Sequence, residues 1–381
     1  MDALYKTREV TQAWFQRNMK GDPWLWGIAL FLLGGGVVVV YSASVKQAYG
    51  TLGGNTETIL FKQIFLAMGA FGVMYLIHLI PYTKFVFFSR MGVWLALILL
   101  LLTFFKGVSV NDADRWVMIP IINQSFQPSE IAKIALIAHL ALILALRFKK
   151  DWSDTRLLLE PMVMIGFVCA LIYRSNISTA ALLGATCFMM LYVGKVPVRY
   201  LAITMVSFLI LSGLLVVFKI GQRGSTAEKR METFLNPNKI SEQSENAYIA
   251  MARGGIFGEG VAKSQQRHYL PNGDSDFIFA IIVEEYGTLG ALVVVVAFLL
   301  LLYRGLKAIA KPKRPYGGLL SAGLTFSIVF QAFATMAVTV GLFPTTGQTL
   351  PFISNGGTSM LLTGAAMGII LSVSRGELEE V

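Results

Sequence analysis

Carboxylates at the ends of long apolar runs are the first residues of this chain that could do chemistry. Asp276 closes a polar stretch and opens an apolar one, and Asp274 lies two residues before it. At a boundary between water and an apolar layer, partial desolvation makes a carboxylate a stronger base. Asp276 is therefore a candidate general base, and Asp274 could share or replace that role. Spacing alone leaves a second interpretation open, in which Asp276 only caps the start of a helix.

A second pair of charges, Glu130 and Lys133, lies inside an apolar run, at a spacing that places both side chains on one face of a helix. Ionisable groups in such runs are energetically expensive, so they usually face a protein interior or a wet cavity. One interpretation is an internal ion pair that locks the helix. The other is a cavity wall in which Lys133 meets an anionic group, and the two are compatible.

Four further cations and one serine are candidates for binding an anionic substrate. Arg115 precedes a tryptophan in one polar segment, whereas Arg253, Lys263 and Arg267 lie near four glycines in another. Glycine-rich backbone with cations can cradle a phosphate, but no strand precedes these glycines, which excludes a nucleotide-binding fold. Ser354 belongs to a segment rich in proline, glycine and hydroxyls, and such irregular backbone at membrane depth lies within protein or lines a cavity.

The composition indicates that these groups are held in place by helices that lie in a membrane. Of the 381 residues, 55% are hydrophobic and only 14% are charged, whereas a soluble domain has about 45–50% apolar and about 25% charged residues. A membrane-spanning helix needs about 20 apolar residues. We predict an all-α polytopic membrane protein with about ten such helices, at 24–44, 60–80, 85–105, 128–147, 157–174, 178–194, 200–219, 277–303, 318–341 and 359–374.

The distribution of lysine and arginine predicts the orientation. With the N-terminus in the cytoplasm, the inner segments and the span ends that adjoin them hold 18 of these residues, and the short outer segments and their adjoining span ends hold 6. Cytoplasmic loops carry the positive excess, so both termini are expected in the cytoplasm, and the net charge of +10 reflects topology rather than nucleic-acid binding. We expect a cytoplasmic segment 1–23, a membrane domain 24–374 that includes a long outer loop 220–276 between spans seven and eight, and a cytoplasmic tail 375–381.

The cysteines and histidines suggest no metal site. Cys169 and Cys187 both lie within apolar runs, where a small hydrophobic side chain is ordinary. The three histidines are far apart in the predicted topology. We therefore expect no resident metal and no organic cofactor, while a requirement for a divalent cation is left open.

Several of these strings together resemble the SEDS family (shape, elongation, division and sporulation), whose members include FtsW and RodA. The matching strings are Arg115-Trp116, Phe126-Gln127-Pro128-Ser129-Glu130 with Lys133, Gly254-Gly255-Ile256-Phe257-Gly258-Glu259-Gly260, Tyr269-Leu270-Pro271, Asp276-Phe277-Ile278-Phe279-Ala280, Glu284-Glu285-Tyr286-Gly287 and the segment 344–359. They follow the family's order through most of the chain. Pro344-Thr345-Thr346-Gly347 is more similar to FtsW than to RodA, and so is the polar N-terminal segment.

The resemblance implies a peptidoglycan glycosyltransferase of the bacterial cytoplasmic membrane. Such an enzyme would polymerise lipid II, the undecaprenyl-pyrophosphate-linked disaccharide-peptide, at the outer face during cell division or elongation. The implied partners are a class B penicillin-binding protein, which crosslinks the product, and other membrane proteins of the divisome or elongasome. By the same resemblance, Asp276 stands at the catalytic aspartate, and Glu130 and Lys133 stand at the paired residues of the fourth span. The cations that could meet the departing pyrophosphate are Arg115, Lys133, Arg253 and Arg267, with no ranking among them.

The chain departs from the family's pattern at auxiliary positions. The usual Glu-Ala-His-Thr before the catalytic aspartate is here Asn272-Gly273-Asp274-Ser275, and the usual tyrosine before the late Gly-Gly is Asn355. A common lysine is here Arg267, and Ser175-Asn176-Ile177-Ser178-Thr179 replaces a Pro-Asp-x-Gly-Thr motif. Help from the missing Glu or His is therefore not expected, whereas Asp276 itself is present.

Two other classes of function use the same features. A lipid flippase or transporter would use the apolar bundle, the buried charged pair and the irregular outer backbone, although transport sites favour the membrane midplane and the notable groups here cluster at one face. A non-catalytic scaffold would instead recruit the crosslinking enzyme of the division machinery.

Overall fold

A computed structural model describes residues 18–44, 56–106, 108–109, 114–119, 124–147, 156–217, 224–236, 240–270, 273–307 and 315–378. Twelve α-helices lie in these ranges. They are α1 Pro23–Ala43, α2 Thr56–Leu79, α3 Phe85–Lys106, α4 Pro128–Arg147, α5 Arg156–Ser175, α6 Ile177–Val193, α7 Val198–Val217, α8 Gly224–Leu235, α9 Glu242–Gly254, α10 Ile278–Lys307, α11 Pro315–Thr339 and α12 Thr358–Leu378.

Each of the ten predicted apolar runs forms a helix, namely α1 to α7 and α10 to α12. Within the described ranges, seven helices are long and apolar enough to cross a membrane: α1 to α4 and α10 to α12. Helix α6 is shorter, with 17 residues, and α5 carries charged residues at both ends and a proline, Pro161, in its second turn. The prediction of an all-α polytopic membrane protein is confirmed.

The ends of four helices meet at one face of the bundle. Asp22, at the N-cap of α1, lies 3.3 Å from the guanidinium of Arg304 near the end of α10, and its backbone N–H donates to Ser374 Oγ of α12 at 2.9 Å. Arg375 donates to the carbonyl of Leu79, the last residue of α2, at 3.1 Å. These contacts place the start of α1 and the ends of α2, α10 and α12 together, as the predicted topology requires.

The opposite ends meet at the other face. Ser44 follows α1 and donates to Asp274, which lies just before α10, at 3.4 Å. Ser354, shortly before α12, donates to the carbonyl of Ser275 at 2.7 Å. The end of α1 and the starts of α10 and α12 therefore converge on the residues around Asp276, so the candidate base lies at one end of the bundle rather than at its midplane.

The segment between α3 and α4 holds a small antiparallel sheet that the sequence analysis did not predict. Its strands are β1 Val108–Ser109, β2 Asp114–Ile119 and β3 Gln124–Phe126, in the order β1-β2-β3. Met118 pairs with Ser125 between β2 and β3. Strands β1 and β3 have only two and three residues, and the six residues of β2, Asp-Arg-Trp-Val-Met-Ile, do not alternate between polar and apolar. This explains why the segment was expected only as a loop.

Helix α10 is broken at Gly287, where φ is +68° and ψ is −172°. The two halves have different surroundings: 278–285 is fully buried, whereas 288–307 exposes many of its large apolar side chains. The second half has about the 20 residues that a membrane span requires. The first half lies against the end of α1, where Ser42 donates to Glu285 and Ser44 donates to Asp274.

The glycine-rich stretch after α9 packs directly on this break. A Cβ on Gly254 would lie 2.0 Å from the carbonyl oxygen of Val283, and a Cβ on Gly287 would lie 2.2 Å from that of Ile256. Backbone hydrogen bonds cross the contact, from the N–H groups of Glu259, Gly260, Thr288 and Leu289 to the carbonyls of Glu284, Glu285, Gly255 and Ile256. We call this contact the glycine seam; it satisfies polar backbone groups that the break in α10 leaves without helical partners.

Candidate active site

Asp276 lies in the turn that precedes α10, and its side chain is half-buried. Because α10 begins at Ile278, Phe277 takes the N-cap position and Asp276 lies one residue earlier. This placement favours the interpretation of Asp276 as a chemical group over that of a simple helix cap. Gly347, in the irregular segment between α11 and α12, lies beside the carboxylate: a Cβ on Gly347 would be 3.5 Å from Asp276 Oδ2.

Asp274 is held by two partners. Its Oδ2 accepts a hydrogen bond from Asn355 Nδ2 at 2.9 Å and a longer one from Ser44 Oγ at 3.4 Å, and its carbonyl accepts from the backbone N–H of Asn355 at 3.0 Å. Asp274 and Asn355 are both departures from the family's pattern, and the structure brings them into direct contact. The pair joins the turn before α10 to the segment before α12, which favours an anchoring role for Asp274.

Ser354 positions the backbone next to the candidate base. Its hydroxyl donates to the carbonyl of Ser275 at 2.7 Å and accepts from the N–H of Leu350 at 2.8 Å. The side chain is almost fully buried. Ser354 was predicted as a substrate-binding residue. The structure places its hydroxyl against Ser275, the residue before Asp276, where it connects the turn before α10 to the irregular segment.

A buried polar network supports the irregular segment from below. Gln331 of α11 donates to the carbonyl of Thr349 at 2.9 Å, and Gln348 donates to the hydroxyl of Thr179 in α6 at 3.0 Å. Thr335 donates to the carbonyl of Gln348 at 3.3 Å. These side chains supply partners to backbone that is neither helix nor strand, as the sequence analysis required of backbone at membrane depth.

Glu130 and Lys133 form the predicted ion pair, with 2.9 Å between Lys133 Nζ and Glu130 Oε1. Both are nearly buried, with side chains that are 9% and 10% exposed. Lys133 also donates to Gln331 Oε1 at 3.0 Å, so the pair joins the network below the irregular segment. The structure thus shows the internal ion pair directly; a contact of Lys133 with an anionic substrate stays a prediction.

Arg253, the first cation of the glycine-rich stretch, has a partner in the protein. Arg253 Nε lies 3.8 Å from Glu284 Oε1, and the buried Glu284 also accepts from Ser264 Oγ and from the N–H groups of Gln265 and Gln266. Glu284 therefore holds the turn after the glycine seam in place, which supports the hydrogen-bonding role expected for it. The close backbone contacts at the seam account for the glycines without a bound phosphate.

The other predicted cations occupy three different surroundings. Lys263 is exposed, and its side chain lies against Gly260, where a Cβ would be 3.3 Å from Lys263 Cδ. Arg267 lies in a short 3₁₀ turn and contacts its neighbour His268 at 3.4 Å. Arg115 lies on β2, and its side chain is outside the described part of the structure. Substrate binding by these three residues stays a prediction.

Arg230 is the cation that the sequence analysis missed. It lies on α8, in the long segment between α7 and α10, and its Nη1 donates to the carbonyl of Thr345 at 2.9 Å. A Cβ on Gly347 would lie 4.0 Å from Arg230 Nη2 and 3.5 Å from Asp276 Oδ2, so the guanidinium and the carboxylate flank the same glycine. Only the folding of the long loop onto the irregular segment brings the two together, and no local sequence pattern encodes that contact.

This arrangement can do acid–base chemistry on a substrate that reaches the end of the bundle where Asp276 lies. A half-buried carboxylate can accept a proton from a hydroxyl, and a nearby guanidinium can stabilise negative charge. Among the described residues, no three histidine, cysteine, aspartate or glutamate side chains gather as metal ligands.

Comparison with known proteins reveals one family. A family model described as a cell cycle protein, covering FtsW, RodA and SpoVE, matches residues 23–379. The chain is 33% identical over 361 residues to the "Probable peptidoglycan glycosyltransferase FtsW" of Bacillus subtilis, covering 91% of this chain and 88% of that protein. It is 35% identical over 288 residues to the protein of the same name from Haemophilus influenzae, covering 73% of this chain and 71% of that protein.

Two solved structures share the fold. A chain of a peptidoglycan synthase complex, described as coordinating polymerization and crosslinking, superposes with a TM-score of 0.73 at 23% identity, covering 93% of this chain and 98% of that chain. The rod shape determining protein RodA of Thermus thermophilus superposes with a TM-score of 0.67 at 22% identity, covering 93% of this chain and 97% of that one. At these identities the likeness concerns the fold.

Proposed function

The chain belongs to the FtsW, RodA and SpoVE family of cell cycle proteins, and we propose that, as a peptidoglycan glycosyltransferase, it polymerises lipid II with Asp276 as general base. The observation that carries the assignment of the base is the position of Asp276. The carboxylate is half-buried at the end of the bundle where three helix ends converge, beside Gly347 and opposite Arg230. The relatives that carry the FtsW name support a role in cell division.

The reaction needs one proton acceptor and stabilisation of one leaving group. A sugar hydroxyl of one lipid-linked saccharide attacks the anomeric carbon of another, and Asp276 takes the hydroxyl proton as the new C–O bond forms. The bond from the anomeric carbon to the pyrophosphate oxygen breaks, and the lipid pyrophosphate leaves with its electron pair. Arg230 flanks the same glycine as Asp276 and is placed to stabilise that negative charge.

The remaining parts of the proposal concern surroundings and partners. The convergent face that carries Asp276 is the outer face, with both termini in the cytoplasm, because the positive excess then lies inside. A class B penicillin-binding protein is the proposed partner, supported by the likeness to a chain from a synthase complex that polymerises and crosslinks. No organic cofactor enters the proposed reaction, and a need for a divalent cation would appear as loss of polymer in the presence of a chelator.

Lipid II polymerisation by the purified chain with its class B partner tests the proposal. Wild-type protein should produce glycan strands, and Asp276→Asn should reduce the initial rate at least about 10²-fold, the lower end for loss of a general base. Asparagine keeps the shape of aspartate and an oxygen that accepts hydrogen bonds, but it cannot accept the proton. Asp274→Asn is the matched control at the neighbouring carboxylate and should retain most of the rate if Asp274 is an anchor.

Three results would contradict the proposal. A well-folded Asp276→Asn protein with a near-normal rate would remove the assignment of the base, and an inactive Asp274→Asn protein beside it would move the base to Asp274. Movement of lipid II between leaflets of a vesicle without polymer would favour a flippase. Wild-type protein that binds the partner yet forms no polymer with it would favour a scaffold.

A further inference from the structure

A pocket of about 360 Å³ with a mixed polar and apolar lining lies on the same face as Asp276. Helices α8 and α9 of the outer loop form one side, and the segment 341–345 after α11 forms the other. Of its lining residues, the proposed reaction uses only Arg230. Its volume is near the lower end of the range for small-molecule sites, which is about 300–1,000 Å³.

The lining of the pocket combines hydroxyls with aromatic rings. Thr233, Ser244 and Tyr248 contribute hydroxyl groups, and Phe234 and Phe343 contribute apolar surface. A hydroxyl both donates and accepts hydrogen bonds, and an aromatic ring offers a flat apolar face. A sugar ring presents the complementary surface, with hydroxyl groups around its edge and C–H groups on its faces, whereas a lipid chain would match only the apolar part of the lining.

Gly341 leaves room for the hydroxyl of Tyr248 in the wall of the pocket. Gly341 has φ of +78°, and a Cβ at this position would lie 2.6 Å from the hydroxyl of Tyr248. Only glycine combines that backbone conformation with the close approach. Ser241 caps α9 and contacts Ser244 Oγ at 2.9 Å, which sets the position of the second hydroxyl group at the pocket.

Arg230 connects the pocket to the candidate base. It lines the pocket together with Thr345, to whose carbonyl it donates at 2.9 Å. Its other terminal nitrogen points towards Gly347, beside which Asp276 Oδ2 lies. The guanidinium therefore forms the wall between the two, and a ligand that occupies the pocket ends next to Asp276.

We infer that this pocket is a saccharide subsite, which binds a sugar ring of the glycan while the neighbouring sugar reacts at Asp276. The inference rests on the proposed glycosyltransferase function and adds to it the place of one sugar. Either the growing strand or the incoming lipid-linked disaccharide supplies that ring. The two sources have the same chemistry at the pocket and different consequences for kinetics.

Filling the pocket tests the inference. Ser244→Trp places an indole in the pocket, and Glu245→Trp is the matched control because Glu245 is the exposed next residue of the same helix. With labelled lipid II and the class B partner, Ser244→Trp should shorten the mean product at least threefold if the growing strand occupies the pocket. If the incoming disaccharide occupies it, the KM for lipid II should rise at least threefold at unchanged product length. Both results support a saccharide subsite.

A second variant and a direct binding measurement guard against misfolding. Thr233→Val removes a lining hydroxyl and keeps the shape of the side chain, and it should move the same parameter as Ser244→Trp by a smaller factor. Saturation-transfer NMR with a soluble N-acetylglucosamine–N-acetylmuramic acid disaccharide should show binding to the wild-type protein and to Glu245→Trp, with at least a threefold weaker signal for Ser244→Trp.

The failure of the subsite and the failure of the proposed function are distinguishable. If the Ser244→Trp and Glu245→Trp proteins have the same rate, KM, product length and sugar binding, the subsite is overturned. Polymerisation by the wild-type protein would still support the proposed function. Wild-type protein that forms no polymer would overturn the proposed function, and the NMR measurement would then report on the pocket alone.

Discussion

Neutralising one member of the Glu130–Lys133 pair should destabilise the protein more than neutralising both. The two charges are 2.9 Å apart, and their side chains are 9% and 10% exposed. Removing one partner leaves the other charge buried without compensation, which costs about 3–5 kcal/mol. Glu130→Gln and Lys133→Met should each show this loss. Lys133→Met also removes the donor of a 3.0 Å hydrogen bond to Gln331, so it should be the worse of the two.

The double variant Glu130→Gln/Lys133→Met leaves no buried charge at this place. Replacing a whole buried pair by neutral residues of similar volume is often close to neutral. The remaining cost is the unpaired oxygen of Gln331, about 1–3 kcal/mol. The double variant should therefore be more stable than Lys133→Met. Its loss should be smaller than the sum of the two single losses by at least about 3 kcal/mol, which is the coupling between the two changes.

Thermal unfolding of the purified protein in detergent, monitored by tryptophan fluorescence, measures these differences in stability. A loss of about 3–5 kcal/mol should lower Tm by roughly 5–10 °C in a chain of this length, extrapolating from shorter domains. Two results would contradict a coupled pair: a double variant whose loss of stability equals the sum of the two single losses, or single variants whose Tm lies within about 1 °C of the wild type. A charge-preserving control is Lys133→Arg, which keeps the pair and should lose less than Lys133→Met.

The remaining predictions concern the seam, the site and the topology. Gly254→Ala should destabilise the protein by more than about 1 kcal/mol, since its Cβ would lie 2.0 Å from the carbonyl of Val283, whereas Gly27→Ala, with nothing within 4 Å of its Cβ, should be neutral or stabilising in the same melting experiment. Ser354→Ala removes two hydrogen bonds beside Asp276 and should lower the polymerisation rate about three- to tenfold with KM little changed; an unchanged rate would separate Ser354 from the site. Cysteines introduced at the exposed positions Glu245 and Thr83 should react with a membrane-impermeant reagent in intact cells at the first position and not at the second, and the reverse pattern would invert the topology.

The membrane helices were predictable because their signal is local. An apolar run of about 20 residues determines a span by itself, so the ten runs appear as ten helices with ends displaced by a few residues. The break in α10 was not predicted. It depends on contacts between Gly287 and a loop about 30 residues earlier, and no property of the apolar run records them.

The site was predictable where motif residues are neighbours in the chain and not where folding brings distant segments together. The i, i+3 spacing of Glu130 and Lys133 predicted their contact, and the motif at the start of α10 placed Asp276 at a helix end. In contrast, Arg230 reaches Gly347 from a different segment, and Asn355 reaches Asp274 across 81 residues of chain. Both contacts are tertiary, so neither residue could be assigned a partner from the sequence.

The break at Gly287 also constrains how the protein is made. The half of α10 at 288–307 can enter the bilayer as an ordinary span, because its backbone groups are satisfied within the helix. The half at 278–286 depends on the preceding loop for its final place, since residues 255–260 pair with the backbone on both sides of the break. Asp276 acquires its final surroundings only when that loop is in place. We therefore expect the site to become competent only after the long segment between α7 and α10 has folded onto the helix that follows it.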